Sequence, residues 1–99
     1  NGIRYPYYPS GKIQKEETYK FSLLAGPVKT YFEPGALESV CEYRSNRRQG
    51  PYIAYYPNGN TKEQGEYVAD KKHKEWKTFD EAGNLSSSAL FKAGLPVKN

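Results

Sequence analysis

The chain has 99 residues, 36% hydrophobic and 15% aromatic, with ten Tyr, one Cys, one His and a formal net charge of +4. So short a chain is one domain, residues 1–99, and buries too little surface for a thick core. No apolar run approaches the roughly 18 residues of a membrane-spanning helix; one Cys excludes an intrachain disulfide. The mild basicity favours anionic partners without establishing nucleic-acid binding, and nucleic acid is disfavoured because no recognition motif accompanies it.

Four hairpins follow one another. In the first, Tyr7 precedes a turn at Ser10-Gly11, and Ile13 and Tyr19 follow it. In the second, Gly26, Val28 and Tyr31 precede Pro34-Gly35, and Leu37, Cys41 and Tyr43 follow. In the third, Gly50, Tyr52 and Tyr55 precede Pro57-Asn58-Gly59, and Thr61 and Tyr67 follow. In the fourth, Lys74, Trp76 and Phe79 precede Ala82-Gly83, and Leu85 and Phe91 follow. Every series steps by 24 residues: Gly11, Gly35, Gly59 and Gly83 form one, and Tyr7, Tyr31, Tyr55 and Phe79 another. A fixed period is the mark of a repeat array. The Gly series predicts a turn position whose backbone conformation penalises any Cβ. Apolar positions within the units alternate with period two, as in strands.

The prediction is all-β: an elongated, curved antiparallel sheet of about four stacked hairpins, with units near 7–30, 31–54, 55–78 and 79–99. Each unit is a strand, a Gly turn, a strand and a longer loop, the loops falling at 20–25, 44–49 and 68–73. Equivalent residues of successive units lie ~10 Å apart, two strand spacings.

Units that run aromatic-aromatic-x-x-Gly-x-hydrophobic, then Glu-x-x-aromatic, a polar loop and Gly-x-aromatic resemble MORN repeats. The Tyr55-Tyr56-Pro57-Asn58-Gly59 turn and the longer period are similar to the bacterial MORN-variant class known as YwqK-family antitoxins. The resemblance runs from Tyr7 to about Phe91. It implies a non-catalytic module that binds a protein partner in the manner of an antitoxin or immunity component. The wider family implies membrane-tethering or scaffolding roles. Two positions depart from the motif: Lys74, where Gly is usual, and Asp80, where an aromatic is usual.

Catalytic chemistry finds little support. His73 lies in Lys71-Lys72-His73-Lys74, without a nucleophile and orienting acid placed for it. Cys41 aligns with Glu17, Gly65 and Ala89 and reads as a small core residue. One His and one Cys do not supply a zinc site. Glu16-Glu17 and Asp80-Glu81 are adjacent pairs that a strand would send to opposite faces. No phosphate-binding loop occurs. The expectation is no enzyme, no cofactor and no metal.

Binding residues are expected along one rim and one aromatic ladder. Arg47 aligns with Lys71 and Arg48 with Lys72; Arg44 and Lys74 extend the same edge. They form a basic stripe that steers an acidic partner or meets anionic lipid headgroups, or they are plain solvated turn residues that discourage edge aggregation. The matching loop of the first unit, Phe21-Ser22-Leu23-Leu24-Ala25, is apolar, a partner contact or a packed segment. Tyr31 and Tyr55 form one ladder, Tyr52 and Trp76 another; one ladder is core and the other can present anchors. Three functions follow: a protein-binding module, an anionic-membrane-associating module, or a spacer in a longer array. Open sheet edges allow a homodimer. The chain holds no Met, so an initiator is missing. Export with a cleaved leader and excision from a longer array both account for that, and a cytoplasmic location stays open.

Overall fold

In a computed structural model that describes residues 2–97, nine strands form one antiparallel sheet in simple chain order. They are β1 (Gly2–Arg4), β2 (Lys15–Lys20), β3 (Leu23–Tyr31), β4 (Leu37–Arg44), β5 (Arg47–Tyr55), β6 (Thr61–Val68), β7 (Lys71–Phe79), β8 (Leu85–Lys92) and β9 (Leu95–Pro96). The slab measures 46 × 34 × 15 Å. An all-β array of stacked hairpins is what the 24-residue period predicts. No helix of the described residues is long and apolar enough to cross a membrane.

The glycine turns share one geometry. Gly11, Gly35, Gly59 and Gly83 have φ of 89°, 115°, 91° and 94°. Each donates its N–H to the carbonyl three residues back: Tyr8, Phe32, Tyr56 and Asp80 respectively. A turn closed by a residue in the left-handed region is a common three-residue hairpin loop, and a side chain at that residue would be strained. Asp80-Glu81 therefore lies in a turn and not on a strand. The Asp80 carboxylate accepts hydrogen bonds from the N–H of Ala82 (3.0 Å) and of Asn84 (2.9 Å).

The other connections correct the expected longer loops. Residues 20–25, 44–49 and 68–73 are mostly strand, and each turns over just two residues. Phe21 and Ser22 (φ 53° and 65°), Ser45 and Asn46 (50° and 69°), and Ala69 and Asp70 (49° and 69°) are all left-handed, as are Ala93 and Gly94 (52° and 84°). Two consecutive left-handed residues make the hairpin turn whose twist matches its strands. Asn46 and Asp70 tolerate that region because their short polar side chains bond locally.

Alternation and register assign the faces. Val28 pairs with Cys41, Cys41 with Tyr52 and Tyr52 with Gly65, while Trp76 pairs with Ala89. These positions line one face, the packed face. Among the described residues Val28, Cys41, Ala54, Tyr67 and Trp76 are buried, and all five lie on it. Small and large residues alternate across it, so each bulky ring covers the small residue beside it. The opposite, open face carries Lys29, Val40, Ile53, Gln64 and Lys77 in register. Glu16 and Glu17 do fall on opposite faces, opposite Lys29 and Val28.

Each start of β3, β5 and β7 carries an irregularity. On β4 the single residue Glu42 faces the stretch 49–51, between the Cys41–Tyr52 and Tyr43–Arg48 pairs. Gly50 sits there at φ 113°, Gly26 at 111°, and Lys74 takes the same position at 64°. The Lys74 departure thus leaves the backbone path intact and places a side chain where the neighbouring units have none.

Candidate functional site

The packed face closes on an aromatic cluster. The Trp76 ring lies 4.9 Å from Tyr67 in an edge-on arrangement and 5.6 Å from Tyr52, stacked. Tyr52 and Tyr67 meet edge-on at 5.6 Å. The indole Nε1 donates to the Glu66 carbonyl at 3.0 Å, which leaves the buried N–H satisfied. Trp76 is only 3% exposed. It is therefore core and unavailable as a surface anchor, and Tyr52 packs against it. Burial raises the Tyr52 hydroxyl pKa to about 12 and the Cys41 thiol pKa to about 11. A thiol so desolvated is protonated at neutral pH and is a poor nucleophile.

Two of the expected basic residues belong to this face. Arg48 donates to the Asp70 carboxylate from its backbone N (2.8 Å) and its Nε (3.0 Å), and its Nη2 reaches the Asp70 carbonyl at 3.3 Å. Its guanidinium lies 4.1 Å from the Tyr67 ring centre. The Asp70 carboxyl is held below the usual carboxylate range, first by the Arg48 backbone N–H and then by its guanidinium. Lys72 Nζ lies 4.7 Å from the Trp76 ring and 5.0 Å from Phe91, and 3.9 Å from a Glu63 oxygen. Both cations are committed inside the molecule, to aromatic faces and a carboxylate.

Arg44, Arg47 and Lys71 lie on the other side. Arg44 pairs directly with Arg47 across its turn, and Lys71 pairs with Val68. The expected single stripe of Arg47, Arg48, Lys71 and Lys72 is thus split between two faces, because neighbours on a strand point opposite ways. The same two flanking positions recur at every two-residue turn: Lys20 with Leu23, and Lys92 with Leu95. The open face therefore ends in a row of eight exposed residues: Lys20, Leu23, Arg44, Arg47, Val68, Lys71, Lys92 and Leu95. Five are cations, three are aliphatic and none is acidic. None of the five cations takes part in an ion pair among the described residues; those formed are Lys29–Glu16, Arg48–Asp70, Lys72–Glu63 and Lys77–Glu75.

The rim is held by its turns. Asn46 Oδ1 accepts from Leu24 N at 2.7 Å while Asn46 N donates to Leu24 O at 3.0 Å. Asp70 makes the same pair of bonds to Arg48, at 2.8 and 2.9 Å, and Gly94 N donates to Lys72 O at 3.0 Å. Each turn is thereby fastened to the hairpin before it. Beside the rim a shallow groove of about 350 Å³ is lined by Val68, Ala69, Lys71, Lys72, His73, Lys92 and Ala93. His73 is a half-buried strand residue opposite Glu66, not a loop residue.

Tyr31 and Tyr55 are not brought to the rim. They sit at the far ends of β3 and β5, paired with Leu37 and Thr61 beside the glycine turns. The sequence reading missed Lys20, Val68, Lys92 and Leu95, and took Leu23 only as part of the apolar segment 21–25. Their only signal is position: each flanks a two-residue turn, one residue before or after it, at steps of 24. No group of three or more His, Cys, Asp or Glu residues gathers as a metal site among the described residues.

The MORN repeat variant family matches the chain over residues 1–21, 48–69 and 72–93. No curated protein matches it. The matched segments at 48 and 72 begin at equivalent points one period apart, on the second residue of β5 and of β7. The stretch 22–47 outside the match contains β3 and β4 with the same turns and the same irregularity at Gly26. With well over half of its length matched, and the stretch 22–47 built on the same geometry, the chain belongs to the MORN repeat variant family.

Proposed function

We propose that this protein is a non-catalytic module that binds a protein partner through the rim of its open face. The observation that carries the reading is the contrast between its two faces. On the packed face Tyr52, Tyr67 and Trp76 pack on one another with Tyr43 and Phe91 against them, and Arg48 and Lys72 are engaged by aromatic rings and carboxylates. On the open face five cations without ion-pair partners among the described residues share the rim with three exposed aliphatic side chains. Cations bring an acidic partner in quickly, and aliphatic contacts slow its departure. The resemblance to the antitoxin class adds support for a proteinaceous partner, an antitoxin-like pairing with a toxin being its most specific form.

The test is an affinity capture from cells that make the protein. It uses wild type beside an Arg44→Ala/Arg47→Ala/Lys71→Ala variant and a control altered only at the glycine-turn end, Tyr55→Phe. A stoichiometric protein kept by wild type and control but lost by the rim variant supports the reading. Equal capture by all three places binding away from the rim. Absence of a protein partner, with rim-dependent association to anionic vesicles, overturns the reading in favour of a lipid-headgroup module.

A further inference from the structure

We infer that the partner presents an acidic α-helix, lying across the strand ends along the open-face rim; this rests on the protein-binding reading above. The first ground is spacing. Arg47 and Lys71 hold equivalent positions two strands apart, ~9.6 Å. On an α-helix, residues seven apart share a face and are separated by ~10.5 Å. The mismatch of ~1 Å per repeat is within the reach of Lys and Arg side chains. An extended chain fits worse: its same-face residues recur at ~6.6 or ~13 Å, straddling the rim period.

The second ground is the backbone. Strand addition needs free main-chain donors and acceptors. At this rim the N–H groups of Asn46, Asp70 and Gly94 are already committed to the carbonyls of Leu24, Arg48 and Lys72. Recognition there falls to side chains, which suits a helix whose own backbone is satisfied. The third ground is composition. Arg44, Arg47 and Lys71 present charge to acidic positions, and Val68 lies among them, exposed, for an apolar position between. The complementary surface is one helix face whose residues, three or four apart, run acid, acid, aliphatic, acid, acid opposite Arg44, Arg47, Val68, Lys71 and Lys92.

Three synthetic peptides of equal length and equal net charge test this against the intact protein. One is a stapled helix of about 21 residues with Glu, Glu, Leu, Glu and Glu at successive positions three or four apart on one face; the second is a stapled helix with those residues shuffled out of period; the third is broken by proline so that it stays extended. Binding is read by anisotropy and located by backbone amide shifts. The expected result is that the periodic helix binds at least about tenfold tighter than either other peptide. Its shifts centre on Arg44, Arg47, Val68 and Lys71, and Arg47→Glu/Lys71→Glu removes the difference. Equal binding of all three peptides, or preference for the broken one, overturns the helix while leaving a protein-binding rim. No peptide binding, with anionic phosphatidylserine vesicles held at the same amides, overturns the helix and the protein-binding reading together.

Discussion

The indole of Trp76 lies directly against Gly65. A Cβ added to Gly65 would overlap Cδ2, Cε2 and Cε3 of the ring. Here glycine serves not as a turn residue but as the floor on which the largest side chain of the sheet rests. The neighbouring strands solve the same problem with Cys41 under Tyr52 and Ala89 beside Trp76. Gly65→Ala is expected to displace the ring and cost about 1–3 kcal/mol through overpacking. Trp76→Ala is expected to cost about 3–5 kcal/mol. Urea titration followed by tryptophan emission checks the first, with a red shift in the native baseline; circular dichroism checks the second.

Lys74 occupies the left-handed position held by Gly26 and Gly50. Its strain is about 1–2 kcal/mol, and a glycine there would gain back chain entropy in the unfolded state worth about 0.4–1 kcal/mol. Lys74→Gly is therefore expected to stabilise by about 0.5 kcal/mol, and Lys74→Val to destabilise by about 1–2 kcal/mol, since a β-branched residue tolerates positive φ least. Paired midpoints of denaturant unfolding read both.

Asp70 and Asn46 do the same backbone task one period apart, but only Asp70 titrates. Its folded pKa is depressed, so its contribution to stability is present above the unfolded value near about 4 and disappears as pH falls through the lower folded value. Asp70→Asn should keep the bond from Arg48 N, as Asn46 keeps the one from Leu24 N, and lose the ion pair with Arg48. At neutral pH the variant is expected to melt slightly below wild type. The two melting curves should converge as pH drops below about 4. A constant gap across that range would show that the carboxylate charge contributes nothing.

Tyr8 Oη donates to Tyr31 O at 2.6 Å, and Tyr56 Oη to Phe79 O at 2.7 Å, tying each unit to the next. Phe32 stands at the equivalent place between them without a hydroxyl. Phe32→Tyr is expected to reach the Tyr55 carbonyl and add about 0.5–1.5 kcal/mol. Tyr56→Phe should lose a similar amount. A thermal-melt comparison of the two variants with wild type decides whether the tie is worth what its geometry suggests.

The periodic skeleton was readable because Gly11, Gly35, Gly59 and Gly83 mark a backbone conformation other residues resist. The two-residue turns escaped notice for the opposite reason: Ser45-Asn46 and Ala69-Asp70 accept left-handed backbone without glycine, so the flanking basic residues looked like loop. Face assignment was hidden at the same place. Arg47 and Arg48 point opposite ways as strand neighbours, but which of them joins the face of Tyr52 depends on how the stretch 49–51 is accommodated opposite Glu42, which spacing alone does not reveal. The rim was only partly legible, since Leu23, Arg47, Lys71 and Leu95 occupy one position without a shared chemistry. Trp76 as core was within reach, because a small residue, Gly65, aligns with Cys41 and Ala89.

Strands that pair solely with their neighbours in sequence also decide how the molecule answers a mechanical load. β1 and β9 form opposite edges of the slab, so tension applied across them pulls perpendicular to the strands. The ladder then opens one row of hydrogen bonds at a time, like a zipper, and no row shields the next. Each hairpin released adds its full contour length before the following one yields. The protein would extend in even, low-force steps and recover by closing the same rows in reverse.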